Sequence, residues 1–117
     1  MIHDSTDMTI HLDSIRSYVI PDTVFSFTSL KKLKIIGSNK ESTQKYKYHL
    51  NSIPHKIWRL KNLEEIDLSE HKNVSFPKTI IGLSKLKKIY LRNKLTNDET
   101  KILEAMIPEK CNIIIEN

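Results

Sequence analysis

Apolar residues recur along this chain with a fixed beat. The run IPHKIWRLKNLEEIDL from Ile53 is answered 23 residues later by FPKTIIGLSKLKKIYL from Phe76. In each copy an apolar residue precedes a proline, and further apolar residues follow at matching offsets. They are Ile57, Leu60, Leu63, Ile66 and Leu68 in the first copy, and Ile80, Leu83, Leu86, Ile89 and Leu91 in the second. The last two of each set alternate with polar residues, which predicts a short strand with one face buried. The same signature stands at Ile10/Leu12, Leu33/Ile35 and Cys111/Ile113, so five strands are expected, at intervals of 23, 33, 23 and 22 residues. A unit this short cannot bury its apolar side alone. Successive units must stack into one continuous core, with their strands as parallel neighbours.

The connections carry their own signals. Ile20-Pro21, Val24, Phe27 and Leu30 repeat the offsets that follow Pro54. Proline suits the start of a helical turn because its φ is already right and its missing N–H would have had no partner. Pro21, Pro54 and Pro77 therefore each predict a short helical or 3₁₀ turn. The second interval holds ten extra residues, within GSNKESTQKYKYHLNS. An insertion over about 37–52 is expected to protrude, since surface insertions cost little loop-closure free energy. Within it, Tyr46 and Tyr48 either form one face of an extra strand or lie against the body. After the fourth strand, Thr96 and Glu99 have capping-box spacing, and Ile102, Leu103, Met106 and Ile107 share a helical face before Pro108. A helix of about ten residues, from Asp98 to Met106, is expected there.

These repeated residues resemble the leucine-rich repeat family, in its short variant with an Ile-Pro or Leu-Pro step found in bacterial and plant proteins. The resemblance implies one α/β domain over residues 1–117: a right-handed solenoid with a parallel concave sheet of about five strands, an irregular, 3₁₀ or short helical convex side, and a C-terminal helix. The family places asparagine three residues beyond the second strand leucine, where its amide bonds neighbouring backbone. Here those positions are Ile15, Ser38, His71 and Lys94. The asparagine ladder is thus expected to be absent, or replaced by water and by neighbours such as Asn39, Asn73 and Asn93.

The resemblance also implies that outward-facing strand residues form the binding surface. Register places them in three columns: Thr9, Lys32, Glu65, Lys88, Lys110; His11, Lys34, Asp67, Tyr90, Asn112; and Asp13, Ile36, Ser69, Arg92, Ile114. The candidate partner-binding residues are Lys34, Glu65, Asp67, Ser69, Lys88, Tyr90 and Arg92, with Tyr46 and Tyr48 of the insertion. An acidic centre, Glu65 and Asp67, lies between basic flanks. On that surface the function implied is a non-enzymatic protein–protein interaction module, acting as a regulator, immunity-type protein or adaptor.

Composition narrows the alternatives. At 13.7 kDa there is room for one core. A net charge of +5 and a pI near 9.3 favour acidic partners. Binding of nucleic acid or another polyanion is the alternative function, but Glu65 and Asp67 interrupt the lysine columns and only Tyr90 offers a ring on the sheet. No apolar run approaches the roughly 18 residues of a membrane span, and the N-terminus lacks the basic start and apolar core of a signal peptide. A cytoplasmic protein is expected. No catalytic residue, metal site or cofactor is expected either. His11 lies two strands from Asp67, His49 and His55 lack the spacing of a zinc pair, and Cys111 occupies a strand position suited to a small hydrophobe. Finally, Ile114 must face away from the core at the end of the sheet, which suggests weak homodimerisation through the C-terminal edge strand.

Overall fold

The computed structural model describes residues 6–37, 48–71, 74–92 and 94–116. Five strands, β1 (Asp7–His11), β2 (Lys32–Ile36), β3 (Glu65–Leu68), β4 (Lys88–Leu91) and β5 (Asn112–Ile115), form one parallel sheet in chain order. Three of the connections contain a 3₁₀ turn, at Asp22–Ser26, His55–Arg59 and Lys78–Gly82. Pro21, Pro54 and Pro77 stand immediately before them at φ of −58°, −62° and −77°. The ring has already selected the φ that starts the turn. Helix α2 (Asn97–Met106) joins β4 to β5 and carries the expected capping box: the Glu99 N–H donates to Thr96 Oγ1 (3.1 Å), and the Thr96 N–H donates to Glu99 Oε1 (2.9 Å). No helix among the described residues is long and apolar enough to cross a membrane.

The core lies between the inner face of the sheet and the 3₁₀ turns. The repeated offsets fill it: Ile57, Leu60, Leu63, Ile66 and Leu68 from one unit, and Ile80, Leu83, Leu86, Ile89 and Leu91 from the next, are all buried. Each such side chain contributes about 1.5–3 kcal/mol relative to exposure, so the periodic positions carry most of the stabilisation. Polar contacts align the units on the other side. The Asn62 amide donates to the Thr28 carbonyl (3.0 Å), Lys85 Nζ donates to Asn62 Oδ1 (2.8 Å), and Thr79 Oγ1 donates to the His55 carbonyl (2.6 Å).

Strand register is set at the point where each strand begins. The N–H groups of Lys31 and Lys32 both donate to the Thr6 carbonyl, those of Glu64 and Glu65 to Lys31, and those of Lys87 and Lys88 to Glu64. The three central strands keep the register expected from the sequence, with Lys32 opposite Glu65, Glu65 opposite Lys88, and Asp67 opposite Tyr90. Both outer strands are displaced by two residues from that expectation. Met8 and Ile10 stand opposite Leu33 and Ile35, and Ile113 and Ile115 stand opposite Ile89 and Leu91. A shift of two preserves which side chains face inward and changes only their neighbours. Leu12, expected as a strand residue, instead opens a four-residue helix, α1 (Leu12–Ile15), and is fully buried. Arg16 closes that turn in the left-handed region at φ 51°, a conformation that a residue with a Cβ adopts at some cost.

The described ends of the insertion belong to the packed body. Gly37 and Leu50 are buried, and Ser52 forms a parallel bridge with Ser75, with the Ile53 N–H donating to the Ser75 carbonyl (2.9 Å). The Tyr48 N–H donates to the Gly37 carbonyl (3.3 Å), bringing the two ends together. Tyr46 lies outside the described residues, as do Ser38, Asn39, Asn73 and Asn93. Tyr48 is half-buried, packs on the core and meets Tyr18 with ring centroids 5.2 Å apart.

Candidate functional site

The outward face of the sheet is built by every second residue of each strand. Lys32, Glu65, Lys88 and Asn112 make one row across the strands. Thr9, Lys34, Asp67, Tyr90 and Ile114 make the next. Adjacent members stand about 4.8 Å apart along a row, the spacing of neighbouring strands. Six of the candidate residues, Lys34, Glu65, Asp67, Ser69, Lys88 and Tyr90, therefore fall on β2, β3 and β4 or just beyond β3, and Arg92 follows directly after β4. The outer members of the expected columns change. His11 stands opposite Ile36 rather than in the row of Asp67, Asp13 lies in α1, and Lys110 precedes β5. Tyr48 sits just beyond the end of β2, off these rows.

Electrostatics on this face alternate in sign across strands. Lys32 Nζ lies 3.7 Å from Glu65 Oε2, an exposed pair worth under about 1 kcal/mol. Asp67 is positioned by its own turn: the Ser69 N–H (3.0 Å) and the Ser69 hydroxyl (2.6 Å) both donate to its Oδ1. An open groove of about 250 Å³ runs over β1 to β4, bordered by Thr9, Lys34, Glu65, Asp67 and Tyr90. At the entry to the strands, Lys87 beside Glu64 (3.1 Å) holds that carboxyl below the usual range.

Comparison of this chain with models of known protein families and with curated proteins finds no match.

Two residues outside the candidate binding set hold notable positions. His71 is 1% exposed, the buried polar side chain among the described residues of the core. Its Nδ1 accepts from the Leu50 N–H (2.9 Å), so the proton sits on Nε2, which donates to the Ile35 carbonyl (2.9 Å). Its neighbour Glu70 accepts from the Gly37 N–H (3.0 Å). A histidine thus bonds the backbone of β2 and of the segment around Leu50, at one of the four positions where the resemblance would place an asparagine. The signal was there, since an imidazole, like a carboxamide, pairs one donor with one acceptor. Trp58 is the second. It occupies the offset held by the buried Phe25 and the exposed Ile81 in the other units and is itself 40% exposed, with Arg59 and Lys61 cations 5.8 and 5.7 Å from its ring.

Among the described residues no cluster of three or more His, Cys, Asp or Glu side chains is placed to hold a metal ion. His49 meets His71 edge to face at 5.5 Å, while His55 lies on an exposed 3₁₀ turn. Cys111 falls just before β5 rather than within it, and burial pushes its thiol up to about 11, so it is protonated at neutral pH and a poor nucleophile.

Proposed function

We propose that this chain is a small leucine-rich repeat solenoid that binds a protein partner, without catalysis, through the outward concave face of its sheet. The observation that carries this reading is the pair of rows Lys32–Glu65–Lys88 and Lys34–Asp67–Tyr90, displayed at fixed spacing by backbone pairing. A surface held rigid by a sheet loses little freedom on binding, so its contacts convert efficiently into affinity. Tyrosine and arginine are the residue types that most often dominate interfaces; Tyr90 stands opposite a carboxylate already oriented by Ser69, and Arg92 follows just beyond the same strand. Alternating charge then selects the partner by complementarity and rejects surfaces of the wrong pattern. Regulation by occlusion or tethering, as an immunity-type protein or adaptor in the cytoplasm, suits such a module.

Combining Asp67→Lys, Tyr90→Ala and Arg92→Glu tests this. In parallel captures from the native host, the specific partner of the unmodified chain should be lost, with affinity falling at least about thirtyfold. Thermal stability should move little, because these side chains lie outside the core. Undiminished capture of the same partner by the triple variant would move the site off the sheet.

A further inference from the structure

We propose that the groove between the first two 3₁₀ turns is a second binding site, for single-stranded nucleic acid, with a base stacked on Trp58 and phosphates held by Arg59, Lys61 and Lys85. This face lies opposite the sheet surface and is independent of the protein-binding reading. The second and third 3₁₀ turns pack closely, whereas the first and second stand further apart and leave an open groove of about 540 Å³. Phe25, Thr28 and Asn62 line it together with Trp58, Arg59 and Lys61. None of the described residues bordering it carries a carboxylate. The nearby Asp22 is engaged by Lys56 at 2.8 Å. Lys85 reaches the rim through its bond to Asn62, which itself bonds the Thr28 carbonyl.

The ligand chemistry follows from this lining. One exposed indole flanked by cations matches the alternation of flat base and phosphate along a single strand, the arrangement of stacking platforms set in a basic groove. Arg59 and Lys61 rest over the ring more than 5 Å from its centroid. Exposed cations at that distance are loosely held and can swing to a phosphate as a base takes the ring face. An acidic peptide fits less well. Peptides are gripped by a sheet edge or by an apolar groove that takes a helix. Here the N–H groups of Ile57, Leu60 and Leu63 are spent on carbonyls within their own turn, and Phe25 and Trp58 are flanked by Ser26, Thr28, Arg59, Lys61 and Asn62 rather than by the row of aliphatic side chains that receives a helix.

Trp58 is the chain's one tryptophan, so intrinsic fluorescence reports on this site directly. Titration with an oligothymidylate of about 15 nucleotides should quench the indole saturably at about 50 mM salt, because stacking brings a base onto the ring. Three neutralised phosphates predict an affinity that falls roughly tenfold to twentyfold between about 50 and 200 mM salt. The double variant Arg59→Glu, Lys61→Glu should remove quenching, while Lys34→Ala with Lys88→Ala on the sheet face should leave it intact. Denaturation curves for each variant establish that it is folded. Absence of quenching by the oligonucleotide, quenching that survives the double reversal, or quenching by an oligoglutamate in place of the oligonucleotide would each overturn the proposal.

Discussion

Replacing His71 by alanine should lower stability by about 3–5 kcal/mol, because it strands the Leu50 N–H and the Ile35 carbonyl in the interior and leaves a cavity between them. The imidazole joins the end of β2 to the chain that returns after the insertion, so its loss loosens two segments at once. The same bonds set a pH dependence. An unfolded histidine titrates near 6.5; in the folded chain burial holds the His71 pKa below that value, and His49 pushes the same way. The Ile35 carbonyl, Glu70 and Asp67 act in the opposite sense without reversing it. Between the two values the unfolded chain binds more protons than the folded one. The contribution of neutral His71 is therefore complete above about pH 6.5 and is lost as pH falls toward the folded pKa. Protonation also turns Nδ1 from acceptor to donor, against the Leu50 N–H.

Asparagine is the informative comparison, since its amide also offers one donor and one acceptor and does not titrate. Urea midpoints for the unmodified chain and His71→Asn, measured from about pH 7.5 down to about pH 5, should converge as the pH falls. Contributions from histidines that do not touch residue 71 cancel in the difference. A stability gap that stays constant with pH would show that His71 is not held neutral by its buried bonds.

Gly37→Val should cost about 3 kcal/mol, for a reason that lies beside the same histidine. A Cβ at Gly37 would run into the Tyr48 carbonyl oxygen and come within 2.9 Å of His71 Cε1. The carbonyl is backbone and cannot swing aside. Gly37 is also fixed on both sides, donating to Glu70 and accepting from Tyr48. Gly82, the second described glycine, provides the control. Its nearest neighbour would be Trp58 Cβ at 3.9 Å, so Gly82→Ala should be neutral or stabilising by about 0.5 kcal/mol. Equal effects at the two glycines, read from denaturant midpoints, would contradict this packing.

How much of this was readable beforehand depends on how tightly the pattern constrained each segment. In the central units a proline and three leucine or isoleucine offsets precede each strand, and these left one register open for β3 and β4. At the ends the pattern is ambiguous. Met8, Ile10 and Leu12 alternate, as do Cys111, Ile113 and Ile115, so two registers differing by two residues bury equally apolar side chains. The backbone bonds to the Thr6 and Lys87 carbonyls decide between them, and those are not written in hydropathy. The candidate residues on β2, β3 and β4 were placed correctly on one face because only alternation was needed. Trp58 escaped notice because it falls between the repeated offsets at Ile57 and Leu60, and its exposure depends on how far apart two turns stand. The insertion was delimited by length alone, so the burial of Gly37 and Leu50 was invisible, while the packing of Tyr48 against the body was one of the two readings its sequence left open.

The proposal that the sheet face receives a protein partner is tested most directly by mapping where the partner touches. A photo-reactive phenylalanine analogue placed singly at Lys34, Tyr90 and Ile81 samples two positions on the sheet rows and one on the third 3₁₀ turn, where Ile81 is 67% exposed. Irradiation of the complex should yield covalent adducts from positions 34 and 90 and none from 81. Adducts from position 81 alone would contradict the account.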